Sequence, residues 1–259
     1  MGGAATLAAL AVQQLEERKR ARSLARDSRL NELVDRLQHD RQFVRASAVV
    51  GITDLATSLS KKDSGANQLF NRCLSQLSVM LHTEEDGAVQ RVLRPSFSRL
   101  AKEVIQNRPD LATTLVDSVT EACDCSYRWL VSAAAYGVAS CGQQKMIQAK
   151  EILADRSQLF FELEPEVIGR AFDEANRIGQ RRWEEFVFEN DAGKKEDAHP
   201  GRFLGSTLGR YSLCVRTLRD VGRICNTPEE GRAGAHLKSL LWQVGGPDKT
   251  ASTLNVDIE

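Results

Sequence analysis

Apolar residues recur along the first half of the chain at the spacing of an α-helix that buries one face. The clearest stretch runs from residue 40 to residue 59, where five apolar side chains follow one another at intervals of 4, 4, 3 and 4 residues. These side chains are Val44, Ala48, Ile52, Leu55 and Leu59. Because an α-helix has about 3.6 residues per turn, they share one stripe, which predicts a helix with that stripe buried and Asp40 as its N-cap.

The same spacing returns twice along the chain. An offset of 45 residues, with Asp86 in the N-cap position, leads to Val89, Leu93, Phe97, Leu100 and Val104. A further offset of 41 leads to Leu130, Ala134, Val138 and Cys141, and only the fifth position, Lys145, is polar. We therefore predict that Ile52, Phe97 and Val138 occupy equivalent buried positions in successive layers. Pro95 falls inside the second stripe and predicts a kink or break near Arg94.

A second set of apolar positions precedes each of these helices. The first such set consists of Leu30, Leu33 and Leu37. The positions 44 residues later are Leu74, Leu77 and Leu81, and the positions a further 41 residues on are Leu115, Ser118 and Ala122. Helix pairs that recur every 41 to 45 residues have the period of HEAT and armadillo arrays. A fourth pair is predicted at 145 to 161 and 166 to 178, with Pro165 at the first helical position.

The residues Phe43-Val44-Arg45-Ala46-Ser47-Ala48 follow an acidic turn and resemble the second helix of a HEAT repeat. This resemblance implies an all-α fold, a right-handed α-α superhelix of three to four HEAT-like helix pairs with a C-terminal helical pair. Residues 4 to 104 combine an Ala-rich apolar start, a basic stretch, a helix ending Leu37-Gln38-His39-Asp40, and then Val44-Arg45 and Gly51-Ile52. With these features they resemble the helical region that precedes the repeats in bacterial membrane-anchored pentapeptide-repeat proteins. No pentapeptide pattern follows in this chain.

Breaks in the pattern divide the chain into five segments. We expect an N-terminal apolar and basic helix or membrane-proximal arm at 1–29 and HEAT-like repeats at 30–189, where 181–188 fits either a helix or a short strand. Charged, Gly- and Pro-containing residues predict a loop or linker at 190–202. A C-terminal helical pair is predicted at 203–246, its second helix starting at the capping box from Thr227 to Glu230. A flexible tail is expected at 247–259.

The N-terminal segment leaves several alternatives open. Its apolar stretch from Gly2 to Val12 has eleven residues, whereas a bilayer span needs about 20. It is followed by a basic run that includes Arg18, Lys19, Arg20 and Arg22. Three alternatives fit this segment. It is an exposed helix, or it is the end of a transmembrane helix that begins upstream of Met1 and has the basic run as its cytoplasmic flank. The third alternative is a myristoylated arm, because Gly2 and Thr6 fit the N-myristoylation pattern. Peripheral membrane contact through residues 1–29 is therefore one partner hypothesis.

Composition and cysteine usage narrow the function classes. The 259 residues carry 35 basic and 35 acidic side chains, so no overall field attracts the chain to nucleic acid or to an anionic membrane. Six cysteines without a signal peptide predict reduced thiols and a cytoplasmic location, with the inner face of a membrane as the alternative. The sequence has no phosphate loop, dinucleotide fingerprint, zinc motif or calcium loop, so we expect no cofactor and no metal, and it offers no catalytic set.

One charged pattern remains. Arg216, Arg219 and Arg223 are spaced to share a helix face, and Arg210 lies nearby. Such a stripe is typical of a solvated or salt-bridged face, and it also suits contact with phosphates or an acidic partner. We expect a non-enzymatic scaffold or adaptor that binds another protein. The alternative is a nucleic-acid-binding HEAT-like protein that uses this arginine stripe.

Overall fold

The computed structural model describes residues 2–60, 65–160, 163, 165–178 and 200–226, and the regular structure in these ranges is helical throughout. The α-helices are α1 (Gly2–Leu37), α2 (Gln42–Thr57), α3 (Ala66–Thr83), α4 (Gly87–Asn107), α5 (Ala112–Cys141), α6 (Gln143–Phe160), α7 (Pro165–Ile178) and α8 (Pro200–Ile224). A 3₁₀ turn, Pro109–Leu111, precedes α5. The all-α class is confirmed for these residues.

The chain forms two compact units. The first comprises Met1–Met80 with Asp86–Leu115, and the second comprises Leu81–Glu85 with Val116–Glu259. In the first unit α2 packs against α1 and against α4. The second unit contains the packed pair of α6 and α7.

Helices α2 and α4 lie side by side in the same direction. At their starts, the Gln42 amide nitrogen donates to the Asp86 carboxylate, 2.7 Å from Oδ1. Three turns further on, Arg99 Nη2 lies 2.8 Å from Asp54 Oδ1. The partners in these two contacts are 44 and 45 residues apart, so a residue of α2 lies beside the residue about 45 positions later in α4.

The interior of the first unit is built from the predicted apolar stripes. Ile52 and Phe97 are both fully buried, as predicted. Leu33 of α1 reaches so close to α2 that a Cβ at Gly51 would lie only 2.7 Å from its Cδ2. Glycine at this position therefore allows α1 and α2 to approach closely.

The predicted N-caps have different outcomes. Asp86 caps α4, because its side chain accepts a hydrogen bond from the Ala88 amide at 2.8 Å. The prediction of Asp40 as the cap of α2 is wrong, since the N-cap is Arg41 and it makes no side-chain capping bond. Instead, a side chain from the first turn of α2 holds the preceding turn: Arg45 Nη1 donates to the carbonyls of His39 and Asp40, both at 2.9 Å.

Of the predicted kink or break near Arg94, the break is wrong. Helix α4 continues through Pro95 as one 21-residue element. Proline removes one helical N–H and crowds the preceding turn, but its ring is on the exposed side of the helix. The stripe on the opposite side, with Leu93 and Phe97, stays fully buried, and this burial favours an uninterrupted helix.

A buried arginine closes the end of α4. Arg108 is 1% exposed, donates from Nη2 to the Leu59 carbonyl at 2.5 Å, and donates from Nη1 to Asn67 Oδ1 at 3.1 Å. Its guanidinium also lies 5.7 Å from the centroid of the Phe70 ring. Carbonyl, amide and aromatic faces thus surround this cation, which joins the end of α2 to the starts of α3 and α5.

The predicted third helix pair is wrong. The two helices expected around 115–122 and 126–137 are one 30-residue helix, α5. Both apolar sets are buried, for example Leu115 and Leu130, but the residues between them contain no glycine or proline that would end a helix. The predicted fourth pair corresponds to α6 and α7, and Pro165 is the first residue of α7 as predicted.

The core of the second unit gathers residues of α5, α6, α7 and α8 around Tyr127, Leu130, Phe172 and Leu208. Val138 is only partly buried against this cluster. Gly142 turns the chain between α5 and α6 with φ +81°, a conformation that favours glycine. Lys150 and Asp173 form an ion pair of 3.2 Å between α6 and α7.

Some predicted segments cannot be compared. Residues 181–189, most of the predicted linker at 190–202, the second helix of the C-terminal pair and the tail at 247–259 lie outside the described residues. The first helix of that pair is α8, which begins at Pro200 rather than at Phe203.

Candidate functional site

The arginine stripe is carried by α8, and its members differ in their surroundings. Arg219 and Arg223 are exposed, and Arg216 is partly buried with its Nε donating to the Ser212 carbonyl at 3.4 Å. Their spacing does place them along one side of the helix. Two guanidiniums of the predicted set are therefore fully accessible to a phosphate or to an acidic side chain.

Arg210 has a different environment from the rest of the stripe. It is 6% exposed, and its guanidinium lies 5.8 Å from the centroid of the Trp129 ring. Its Nη1 is 3.5 Å both from the carbonyl oxygen of Thr83 and from Glu85 Oε1. These contacts make Arg210 a packing residue that ties α8 to α5 and to residues 81–85 within the second unit.

The basic run of α1 is exposed. Arg18, Lys19, Arg20 and Arg22 all have solvent-exposed side chains on one continuous helix that reaches Leu37. Among the helices of the described residues, none combines the length and the apolar character needed to cross a bilayer.

Sequence reasoning missed a polar cluster inside the second unit, where α5 meets α8. Cys214 Sγ lies 3.2 Å from Ser126 Oγ and donates to the Leu81 carbonyl at 3.5 Å. The Cys123 thiol is hydrogen-bonded to Cys214, and the Tyr127 and Tyr211 rings pack with their centroids 5.6 Å apart. The signal available in the sequence, Cys123-x-Cys125, gave no indication of the partner on α8.

The acid–base character of this cluster follows from burial. Desolvation raises the pKa of the Cys123 thiol well above its usual range, and the neighbouring Cys214 adds to this shift. Burial also raises the pKa of the Tyr211 and Tyr127 hydroxyls, the latter reinforced by the Glu174 carboxylate to which it is hydrogen-bonded. The Cys123 thiol and the two phenols are therefore neutral near pH 7, and none of these three groups supplies the thiolate or phenolate that nucleophilic catalysis uses.

Two carboxyl groups beside the cluster respond to the same desolvation. Burial raises the pKa of Asp124 to about 6, opposed by the Arg128 guanidinium. It raises the pKa of Glu174 as well, against the lowering effect of its hydrogen bond with Tyr127. The charge of Asp124 thus changes near pH 6.

Metal binding has no support in the described ranges. Within them, no three histidine, cysteine, aspartate or glutamate side chains come together in an arrangement that could hold a metal ion.

The exposed side of α2 and α4 is the other distinctive surface, and no residue of it was predicted as a site from the sequence. Phe43 is 75% exposed, and Val50, two turns along the same side of α2, is 38% exposed. The offset of 45 places Val50 beside the exposed Pro95 and places Asp54 beside Arg99. We call these residues, with Arg91 and Lys102 on the exposed side of α4, the α2/α4 face.

Comparisons with protein-family models, with curated proteins and with solved structures found no match to this chain.

Proposed function

We propose that the chain is a non-enzymatic scaffold that binds another protein through helical surfaces. The observation that carries this proposal is the α2/α4 face, where Phe43 and Val50 expose apolar area on one side of a helix. Scattered apolar residues are normal on protein surfaces, but apolar residues aligned along one face are typical of sites that contact other proteins.

The chemistry of the buried groups supports a scaffold rather than an enzyme. The largest group of pKa shifts is in the cluster around Cys123 and Tyr211, where burial keeps the Cys123 thiol and the tyrosine hydroxyls protonated. An enzyme usually arranges such shifts so that a group becomes reactive at its working pH. Here they favour the neutral and less reactive form.

We further propose that α1 with α2 and α3 with α4 are two stacked HEAT-like repeats. Two ion pairs support this, Asp27 with Arg72 between α1 and α3, and Asp54 with Arg99 between α2 and α4. In each pair the partners are 45 residues apart, as expected when one repeat packs on the next. The pairs α1/α2, α3/α4 and α6/α7 are then the units from which a superhelix would be assembled.

A photo-crosslinking experiment tests the scaffold proposal. A photoreactive amino acid is placed at Ser47, at Ile152 or at Arg219, which are exposed residues of α2, α6 and α8. Irradiation of intact cells should give discrete protein adducts from at least one position. Cells lysed in denaturant before irradiation are the control, and a lack of specific protein adducts at every position would contradict the proposal.

Nucleic-acid binding is the second candidate, because Arg219 and Arg223 are exposed on one side of α8. Only these exposed arginines support nucleic-acid binding, because the whole chain has equal numbers of basic and acidic residues and therefore no net positive charge. The same experiment separates the two functions, because a nucleic-acid reader would give nuclease-sensitive adducts at Arg219.

A further inference from the structure

We infer that the α2/α4 face binds an acidic amphipathic helix. This inference rests on the proposed scaffold function and names the chemistry of one of its partners. Two features of the face carry it, its apolar row and the positive charge that flanks this row.

The apolar row supplies the anchors. Phe43 is the most exposed of the large apolar side chains in the described residues, and Val50 follows it after seven residues on α2. Seven residues of helix span about 10.5 Å, which equals the distance between apolar residues two turns apart on a partner helix. Pro95, exposed beside Val50, widens the row onto α4.

The flanking charge is positive. Helix α4 contains four basic residues and one acidic residue, whereas α2 contains one of each. Arg91 and Lys102 are exposed on α4, and within the described residues neither has an ion-pair partner. Arg99 is already paired with Asp54. The unneutralised charge therefore lies on the α4 side of the apolar row, where it would meet an acidic side of the partner.

The same features favour a peptide over nucleic acid. The row offers one aromatic ring beside an aliphatic residue and a proline, whereas binding of single-stranded nucleic acid uses several aromatic rings on which bases stack. A partner helix satisfies both the apolar anchors and the one-sided positive charge.

The direct test uses the full chain and a designed fluorescent peptide. The peptide has roughly 18 residues, with leucine two turns apart on one side and glutamate along the adjoining side. A scrambled peptide of the same composition and a version with lysine for glutamate are the comparison probes. Fluorescence anisotropy should detect binding of the acidic amphipathic peptide alone, and raising the salt from about 0.05 M to about 0.5 M should weaken this binding.

Variants locate the site. Phe43→Ser should weaken binding by about tenfold or more, as loss of an interface anchor does. The double variant Arg91→Glu with Lys102→Glu should lose the acidic peptide and gain the lysine version. Ile147→Ser and Arg156→Glu are matched controls, because both residues are exposed on α6, and neither should change the binding. Circular dichroism checks that each variant is folded.

Three results would overturn the inference: equal binding of the scrambled peptide, unchanged binding by Phe43→Ser, or charge-swapped variants that keep their preference for the acidic peptide. A concentration-dependent dimer that Phe43→Ser abolishes would also overturn it, because a second copy of the chain would then cover the face. If the peptide fails while crosslinks from Ile152 or Arg219 persist, the scaffold function survives and only this inference is lost.

Discussion

Asp54 and Arg99 are 45 residues apart in the sequence, and their side chains form a 2.8 Å ion pair between α2 and α4. Asp27 and Arg72 are separated by the same number and pair between α1 and α3. In both pairs the acid belongs to the earlier helix and the arginine to the later one. The offset first recognised in the apolar stripes therefore also describes which residues of neighbouring helices face each other.

The first prediction concerns the strength of this contact. In a double-mutant cycle, Asp54→Ala and Arg99→Ala should show a coupling free energy of about 0.2–1 kcal/mol, because both side chains are half exposed to solvent. Urea unfolding of the four proteins of the cycle measures this coupling free energy, and added salt should reduce it because salt screens exposed charges. A cycle between Asp54 and Arg91 is the control. Coupling of equal size in the control would show that the contact contributes no specific free energy.

The second prediction compares two phenylalanines. Phe97 is fully buried and Phe43 is 75% exposed. Phe97→Ala should lower the free energy of unfolding by about 3–5 kcal/mol, because it removes a ring from a packed interior. Phe43→Ala should change it by less than about 0.5 kcal/mol. Denaturant unfolding of both variants tests the burial pattern, and similar losses in the two would contradict it.

The same two residues illustrate what the sequence could predict. Phe97 was placed in the core because it continues the spacing of Leu93 and Leu100, and helical periodicity is a local property that the pattern reveals. In the exposed apolar row, Phe43 and Val50 are seven residues apart on α2, but Pro95 joins them only because α2 and α4 lie side by side, which no local pattern reveals. Partners distant in the sequence also define the cluster of Cys123 and Cys214, which no spacing rule could connect.

The error at α5 has a related cause. The offsets correctly identified buried positions on both sides of Ala122, but an apolar repeat does not specify whether a turn separates two stripes. A turn needs residues that end a helix, and the only residues of that kind near this stretch are in Asn107–Pro109, before α5 begins. Periodicity predicted which residues are buried, and the stop signals set the length of the helix.

The third prediction concerns Arg108. Arg108→Ala should lower the free energy of unfolding by about 3 kcal/mol, because it leaves the buried Leu59 carbonyl without its charged donor and also removes the hydrogen bond to the Asn67 side chain. Arg108→Lys should recover only part of this loss, since an ammonium lacks the planar fork that reaches both acceptors. Arg91→Ala is the exposed control, expected within about 0.5 kcal/mol of the parent. A lysine variant as stable as the parent would contradict the bidentate role.

The fourth prediction is a pH dependence from Asp124. Burial raises its pKa from 3.8 to about 6, so the folded state holds a proton that the unfolded state releases. Its stabilising contribution is then complete below about pH 4 and is lost as the pH rises through 6. The stability of the parent relative to Asp124→Asn should therefore decrease between pH 4 and pH 6. Asp155→Asn, on the exposed side of α6, is the matched control, and a difference that increases with pH would contradict the assignment.

The last prediction decides between the scaffold and the nucleic-acid reader. If Arg216, Arg219 and Arg223 bound duplex phosphates, the affinity would fall by about 0.9 log unit per log unit of salt for each phosphate neutralised. We expect no such binding at micromolar protein near physiological salt. One reason is that Arg210 packs against Trp129 and pairs with Glu85, so it adds no charge to the accessible patch. Another is that Arg216 is partly buried, which leaves only Arg219 and Arg223 exposed.

Gel shifts with DNA and RNA over a range of salt concentrations measure this directly. The variant that changes Arg216, Arg219 and Arg223 to alanine is compared with one that changes Arg18, Arg20 and Arg22, which removes the same number of arginines from the exposed run of α1. A salt-dependent shift lost only in the first variant would establish α8 as a phosphate-binding surface and reverse our ranking. A shift lost only in the second would assign the binding to α1, where three consecutive basic residues, Arg18, Lys19 and Arg20, lie on one exposed stretch of helix and need no partner element to position them.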